Sequence, residues 1–291
     1  MNSKNIFLAL LVAFIWGVNF PIIKLGLEEL PPILFSALRF TIVAIPAVFF
    51  IPFPKTSVWN VLGIGVVLGI FKFALLFFAM KADASAGLAS LILQAQVFFT
   101  IFLSVIIFKE HISKNQLLGI FISSLGFSIF FFSSEGNITV LGLALILLAA
   151  FFWAISNIIM KKMKDVNLLH FMVWVCLIPP LPLLVISYFT ESKNILNIIL
   201  QSTQTTWFSL VYVSYISTLL AFALWAYLLK NNKAAVVTPF ALLIPIVGLS
   251  ASNIVLGESL SSLELLGAGI IMLGLLLCVL GKKILKVKNE I

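Results

Sequence analysis

Apolar runs of near-constant length alternate with short polar interruptions along the whole chain. Ten such runs can be placed, at roughly 6–24, 32–51, 59–80, 86–108, 115–132, 140–160, 170–189, 207–229, 234–256 and 263–280. Each holds about 18–23 residues, and a helix of that length at 1.5 Å per residue matches a hydrocarbon core of roughly 30 Å. The runs are too long and too uniformly apolar for barrel strands, whose apolar residues alternate. Lipid then leaves the backbone only the helix, where every N–H and C=O is bonded within the segment. The pattern predicts an all-α integral membrane protein with ten transmembrane helices.

Composition agrees. The chain is 62% hydrophobic and 10% charged, against about 25% charged residues in a soluble domain. Lys4 and the run after it look like a signal peptide at first. No small-x-small cleavage site follows, and the run from Ile6 to Ile23 reaches about 27 Å, so it is expected to be a retained first helix. The net charge of +8 does not point to nucleic acid, because the basic residues lie singly between apolar runs and form no stripe. The dense cluster Lys282, Lys283, Lys286 and Lys288 directly follows the last run, a position suited to anionic lipid. Cys176 and Cys278 sit inside apolar runs and are expected to be reduced and buried, with no disulfide framework or metal site.

Charge also sets an orientation. With the N-terminus in the cytoplasm, thirteen of the eighteen basic residues fall on the cytoplasmic side and three, Lys24, Lys81 and Lys193, outside. Arg39 and Lys72 fall within runs. Cytoplasmic loops carry the lysine excess, so both termini are expected inside.

The chain repeats itself. WGVNFPIIK at Trp16–Lys24 matches WAISNIIMK at Trp153–Lys161, and Phe73-Ala74-Leu75 matches Phe222-Ala223-Leu224. Glu110, Leu118-Gly119 and Gly126 match Glu258, Leu266-Gly267 and Gly274. The matches keep their order in both halves, which divides the chain into residues 1–134 and 135–291. Five helices per half is an odd number, so the second half must insert upside down. Two inverted five-helix repeats are the signature of alternating-access carriers, with the binding site near the midplane.

Several segments are similar to the drug/metabolite transporter superfamily. They are WGVNFPIIK, ALRF at 37–40, AGLASLILQAQVFFT at 86–100, LLIPIVGL at 242–249, and the paired endings FKEHISKNQLLG and LGESLSSLELLG. More narrowly the chain resembles the EamA family of ten-helix exporters, along nearly its whole length. The resemblance implies two EamA repeats, an inner-membrane location, and efflux of small amino acids of the cysteine pathway such as cysteine and O-acetylserine. One departure stands out: exporters of that kind carry a neutral glutamine in helix 3 where this chain has Lys72.

Polar residues inside the runs are the candidates for substrate binding. Lys72 lies deep in the third run, where a lysine costs at least about 2.5–3.5 kcal/mol, and is expected to hold a substrate carboxylate in a central cavity or else to snorkel. Arg39, in the second run, is a helix anchor or a second contact. Gln94 and Gln96 lie on different faces of helix 4: Ser90 goes with Gln94, and Thr100 and Ser104 go with Gln96. One face is expected to line the cavity, with Gln94 placed near Lys72, while the other bonds a neighbouring helix. Trp16 with Asn19, and Trp153 with Asn157, form aromatic–amide pairs at corresponding places in the two repeats, suited to a small zwitterion or to packing. Pro245 and Gly248 interrupt helix 9 and are candidate hinges.

No Walker motif is present, and all ten acidic residues fall in loops or at run ends, so an ATP-driven mechanism and an intramembrane carboxylate proton carrier are not expected. No cofactor or metal is implied. The expected partners are a small-molecule substrate and membrane lipid, with no nucleic acid, as a monomer or homodimer. A carrier of another solute (a different amino acid, a purine or a nucleotide-linked metabolite) is the main alternative. A membrane transferase would need clustered aspartates, and a channel would show a pore motif.

Overall fold

The computed structural model describes residues 1–82, 84–132, 137–163, 166–232 and 234–288. The expected repeat boundary at 134/135, and Asp83, Glu135, Lys164 and Lys233, lie outside the described residues. The side chains of the tail lysines do as well.

Ten long helical stretches account for most of the described chain: α1 (Ser3–Glu29), α2 (Pro32–Val48), α3 (Val58–Lys81), α4 (Ala86–Phe108), α5 (Lys114–Phe132), α6 (Val140–Lys162), α7 (Leu168–Thr190), α8 (Gln204–Asn231), α9 (Thr238–Leu256) and α10 (Ser262–Lys288). Eight of them are long and apolar enough to cross a membrane. The other two are α5 and α2, which has 17 residues. The sequence reading missed a short helix, Ile195–Gln201, whose Ile195, Ile198 and Ile199 share one face and pack on the main core. Among the described residues the only β pairing is one bridge between Ala84 and Ile138.

Local chemistry fixes the ends. Asn2, Ser85, Thr139 and Asn167 accept hydrogen bonds from first-turn N–H groups of α1, α4, α6 and α7. Ser113 with Gln116 and Ser261 with Glu264 form reciprocal capping boxes at α5 and α10. Helices α4 and α9 both end in a left-handed residue, Lys109 (φ 54) and Gly257 (φ 67), the two positive φ values among the described residues. The capping box and the left-handed helix end each recur 148 positions later in the chain.

The packing has the symmetry that an inverted repeat demands. Helices α2 and α7, α4 and α9, and α5 and α10 occupy corresponding places in the two halves, and each pair is in contact. Each pair runs antiparallel. The N-terminus of α2 meets Glu191 at the end of α7. Gly87 faces Leu249 and Ser252, while Gly248 faces Ser90. Gly119 meets Gly274, and Gly126 meets Gly267. A Cβ on Gly119 would come within 2.5 Å of the Gly274 carbonyl oxygen, so only glycine permits this approach of α5 and α10. Contacts between non-corresponding helices are exchanged in the same way: α1 packs on α8 and α9, and α6 packs on α3 and α4.

Irregular turns also come in pairs. A π-helical segment interrupts α3 at Gly65–Lys72 and α8 at Tyr212–Leu220. A 3-10 turn interrupts α4 at Leu93–Ala95, and another opens α9 at Thr238–Leu242. The second precedes Pro245, which has no N–H to return to Ala241 and crowds its carbonyl.

The two ends of the bundle differ. At the end away from the described N-terminus, side chains satisfy helix termini across the repeats. Glu191 accepts from the N–H groups of Ile33 (2.8 Å) and Leu34 (3.0 Å). Glu258 accepts from Ala86 (2.8 Å) and Gly87 (3.0 Å), and Glu29 from Thr203 (2.9 Å) and the Thr206 hydroxyl. Lys24 donates to the carbonyls of Met80 and Ala84, and Lys81 to those of Leu27 and Glu28. Carboxylates thus sit at helix N-termini and ammonium groups at helix C-termini, as the helix dipole favours. At the other end Glu110, the counterpart of Glu258, pairs with Lys161 (2.8 Å). Burial follows the same division: α4 is fully buried from Ala86 to Ala95, and from Gln96 to Phe108 only Ser104 is buried.

Candidate substrate site

Two cations meet on one ring near the middle of the bundle. Lys72 is the last residue of the α3 π-segment and is 5% exposed; Arg39 lies on the packed face of α2 and is 4% exposed. The Lys72 ammonium lies 3.4 Å from the Phe73 ring centroid and 4.9 Å from that of Trp153. The Arg39 guanidinium carbon lies 4.1 Å from the same Phe73 centroid and 4.8 Å from that of Phe40. The wide turn of the π-segment and the packing of α3 on α6 bring Lys72 to Trp153, while α2 brings Arg39 from the other side.

The aromatic faces supply negative quadrupole and no hydrogen-bond acceptor. Lys72 has no hydrogen bond or ion pair among the described residues. Arg39 donates from Nη2 to the Thr218 hydroxyl (3.0 Å), and its Nε and Nη1 are buried without partners. The Ser36 hydroxyl, one turn away on α2, is also buried without a partner. The Ser214 hydroxyl donates to the Arg39 carbonyl, so the α8 π-segment positions Arg39 through both its backbone and its side chain. No described carboxylate bonds to either cation, since each one sits at a helix end or in a loop.

Trp16 lies on the same α8 segment. Its Nε1 donates to the Ser217 carbonyl (3.0 Å), and its ring packs on Phe222 and Trp225, both with centroids at 5.3 Å. The repeats therefore present related arrangements: Trp153 on the α3 segment that carries Lys72, and Trp16 on the α8 segment that braces Arg39. Asn19 is half-buried, and its Oδ1 has no partner.

Helix α4 divides its polar residues between two faces. Asn157 donates to Gln96 Oε1 (2.7 Å) and to the Thr100 hydroxyl (3.1 Å), and Lys161 donates to the Ser104 hydroxyl (3.2 Å). The Gln96 face is therefore spent on α6. Gln94 is buried in the 3-10 turn, and no hydrogen bond joins it to Lys72 among the described residues. Pro245 and Gly248 are buried in α9, with Gly248 packed against Ser90. Cys176 and Cys278 are free and buried.

Sequence reasoning singled out both cations. It missed Phe73, Thr218 and Ser36, which decide the environment of those cations, because hydroxyl and phenyl side chains carry no signal in an apolar run. The correspondence of Phe73 with Phe222 in the repeat was the one available hint.

Comparison with known proteins agrees with this architecture. The sequence pattern of a family described as the EamA-like transporter family matches residues 3–132 and again 140–280. A Salmonella typhimurium protein named probable amino-acid metabolite efflux pump is 40% identical over 98% of this chain and 97% of its own. An Escherichia coli protein of the same name is 38% identical over 97% of this chain and 96% of its own. An Archaeoglobus fulgidus protein named uncharacterized transporter is 30% identical over 95% of this chain and 99% of its own. One crystal structure, 17% identical and covering 98% of this chain and 99% of that one, superposes with a TM-score of 0.66, which shows the shared fold.

Proposed function

The chain belongs to the EamA-like transporter family, and from that premise we propose that it is a secondary exporter of small amino-acid metabolites such as cysteine and O-acetylserine. It works by alternating access through a cavity between two inverted repeats of five spans. The observation that carries the reading is the near-full-length identity of 40% to a relative named for amino-acid metabolite efflux. The geometry supports it. Lys72 and Arg39 are cations deep in the bundle with no carboxylate bonded to them among the described residues, as an anionic substrate group requires. Half-buried Trp16 and Trp153 offer aromatic faces to a substrate ammonium. Lys72, Arg39, Trp16, Asn19 and Trp153 form the binding set, with Gln94 and the Oδ1 of Asn157 at its edge. Pro245 and Gly248 serve as the point about which α9 adjusts.

Counterflow in proteoliposomes tests this. Vesicles preloaded with unlabelled cysteine or O-acetylserine should accumulate the labelled compound, and empty vesicles should not. Absence of counterflow for every amino-acid metabolite tried, with folded protein in the bilayer, overturns the reading.

A further inference from the structure

The charge balance around Phe73 is unusual for a carrier of neutral zwitterions. Arg39 and Lys72 both lie on that ring. Thr218 accepts a single hydrogen bond from Arg39, and among the described residues the partner atoms of both cations are otherwise aromatic. A neutral amino acid would bring one carboxylate and one ammonium. The carboxylate could be shared by the two cations and the ammonium could face the tryptophans, but the site would keep its charge of +2. No carboxylate lies among the described residues of the central turns to offset it. A substrate with a second acidic group removes the mismatch, one anion facing each cation, with its ammonium left to the tryptophan faces.

We propose that Arg39, Lys72 and the Phe73 ring form a two-cation site that selects amino-acid metabolites bearing a second acidic group over their neutral counterparts. This rests on the reading of the chain as an exporter of amino-acid metabolites, and within that class it ranks acidic members above neutral ones such as cysteine and O-acetylserine. Arg39 supplies the directional part: its Nε and Nη1 are planar donors held in place by Thr218, Ser214 and the flanking phenyl rings. Lys72 supplies a compact charge. The buried, unpartnered Ser36 hydroxyl is one further donor on the same helix as Arg39.

The test is a charge-only comparison, counterflow of labelled aspartate against labelled asparagine in proteoliposomes. The two solutes match in size and differ by one charge. Aspartate should show at least about tenfold the apparent affinity of asparagine, a difference of about 1.4 kcal/mol. Arg39→Gln or Lys72→Gln should each bring the ratio close to one. Arg39→Lys, which keeps the charge, should retain part of it, and thermal unfolding in detergent checks that the variants fold. Equal affinities, or a preference for asparagine, overturn the two-cation site while leaving the exporter reading in place. Exchange of labelled succinate with no exchange of any amino acid overturns the exporter reading and supports the anion site. Absence of exchange for all of these solutes by folded protein overturns both.

Discussion

Lys72 is the residue on which the site turns. An unpaired lysine in a membrane span costs at least about 2.5–3.5 kcal/mol. Stacking on Phe73 and Trp153 offsets part of this, at roughly 0.5–2 kcal/mol per ring. A substrate carboxylate adds a charge-assisted hydrogen bond, so Lys72→Gln should weaken substrate binding by roughly 1.5–3 kcal/mol, or about tenfold to hundredfold. The empty protein should lose no thermal stability, since the variant removes a buried charge with no hydrogen bond or ion pair among the described residues. Lys72→Arg should be partly active, because it keeps the charge in a planar form. Unchanged substrate affinity in Lys72→Gln assigns the lysine to aromatic stacking alone. Lys72 and Arg39 were legible in the sequence because isolated charges stand out in apolar runs. Their meeting on Phe73 was not, since it depends on how α2, α3 and α6 pack, and Phe73 is one of 28 phenylalanines. The two faces of α4 were legible from helical spacing, and the structure shows which one bonds to α6, through Gln96, Thr100 and Ser104. That choice follows from helix rotation, which is fixed by close contacts such as Gly248 on Ser90 and lies beyond any local sequence signal.

At the scale of elements, corresponding features that behave differently in the two halves are the informative ones. Lys109 and Gly257 end α4 and α9 in the same left-handed conformation, and each is followed by a glutamate. Glu258 accepts two N–H groups from the start of α4, whereas Glu110 bonds Lys161 instead. In a carrier whose halves exchange roles, this difference marks a conformation closed at the Glu258 end. In the opposite conformation Glu258 should release α4, and Glu110 should take the N-terminus of α9. A carboxylate at a helix N-terminus contributes about 0.3–1 kcal/mol and up to about 2 kcal/mol when partly buried. Glu258→Gln should therefore shift the equilibrium toward opening at that end by up to roughly thirtyfold, and Glu110→Gln should shift it the other way. A cysteine at Ser252, buried against Gly87 with no hydroxyl partner, reports the change in a background with Cys176 and Cys278 replaced. Its reaction with an impermeant thiol reagent should speed up in Glu258→Gln and slow down in Glu110→Gln; shifts of the same sign would sink the idea. Eight of the ten apolar runs coincide with helices long and apolar enough to cross a membrane, because hydrophobic length is a strong signal. The paired π-segments were not anticipated: Gly65 is shaped to approach Ile178 on α7, and that partner is more than a hundred residues away.

At the scale of the whole molecule, inversion of the repeats and the lysine count bear on one question, which end of the bundle faces the cytoplasm. The inversion is visible in the antiparallel contact of three corresponding helix pairs, and the two-fold matches of the family pattern cover both halves. Orientation rests on the thirteen-to-three distribution of basic residues. The structure accounts for two of the three exceptions. Lys24 and Lys81 each donate to carbonyls at the C-terminus of the other's helix, so α1 and α3 hold them at that end for a local reason. Only Lys193 remains as an unexplained exception. The end bearing Glu29, Glu191 and Glu258 is then predicted to face outward, and the end bearing Glu110 and Lys161 to face the cytoplasm. A periplasm-active reporter fused after Lys283 should be silent, as should one inserted at Lys55 between α2 and α3. One inserted at Lys193, between α7 and the short helix, should be active. Because the reporters sample both repeats, they also test the inversion: an active fusion after Lys283 together with a silent insertion at Lys55 would put the termini on opposite sides and require an odd number of spans. Two five-helix halves cannot supply that number.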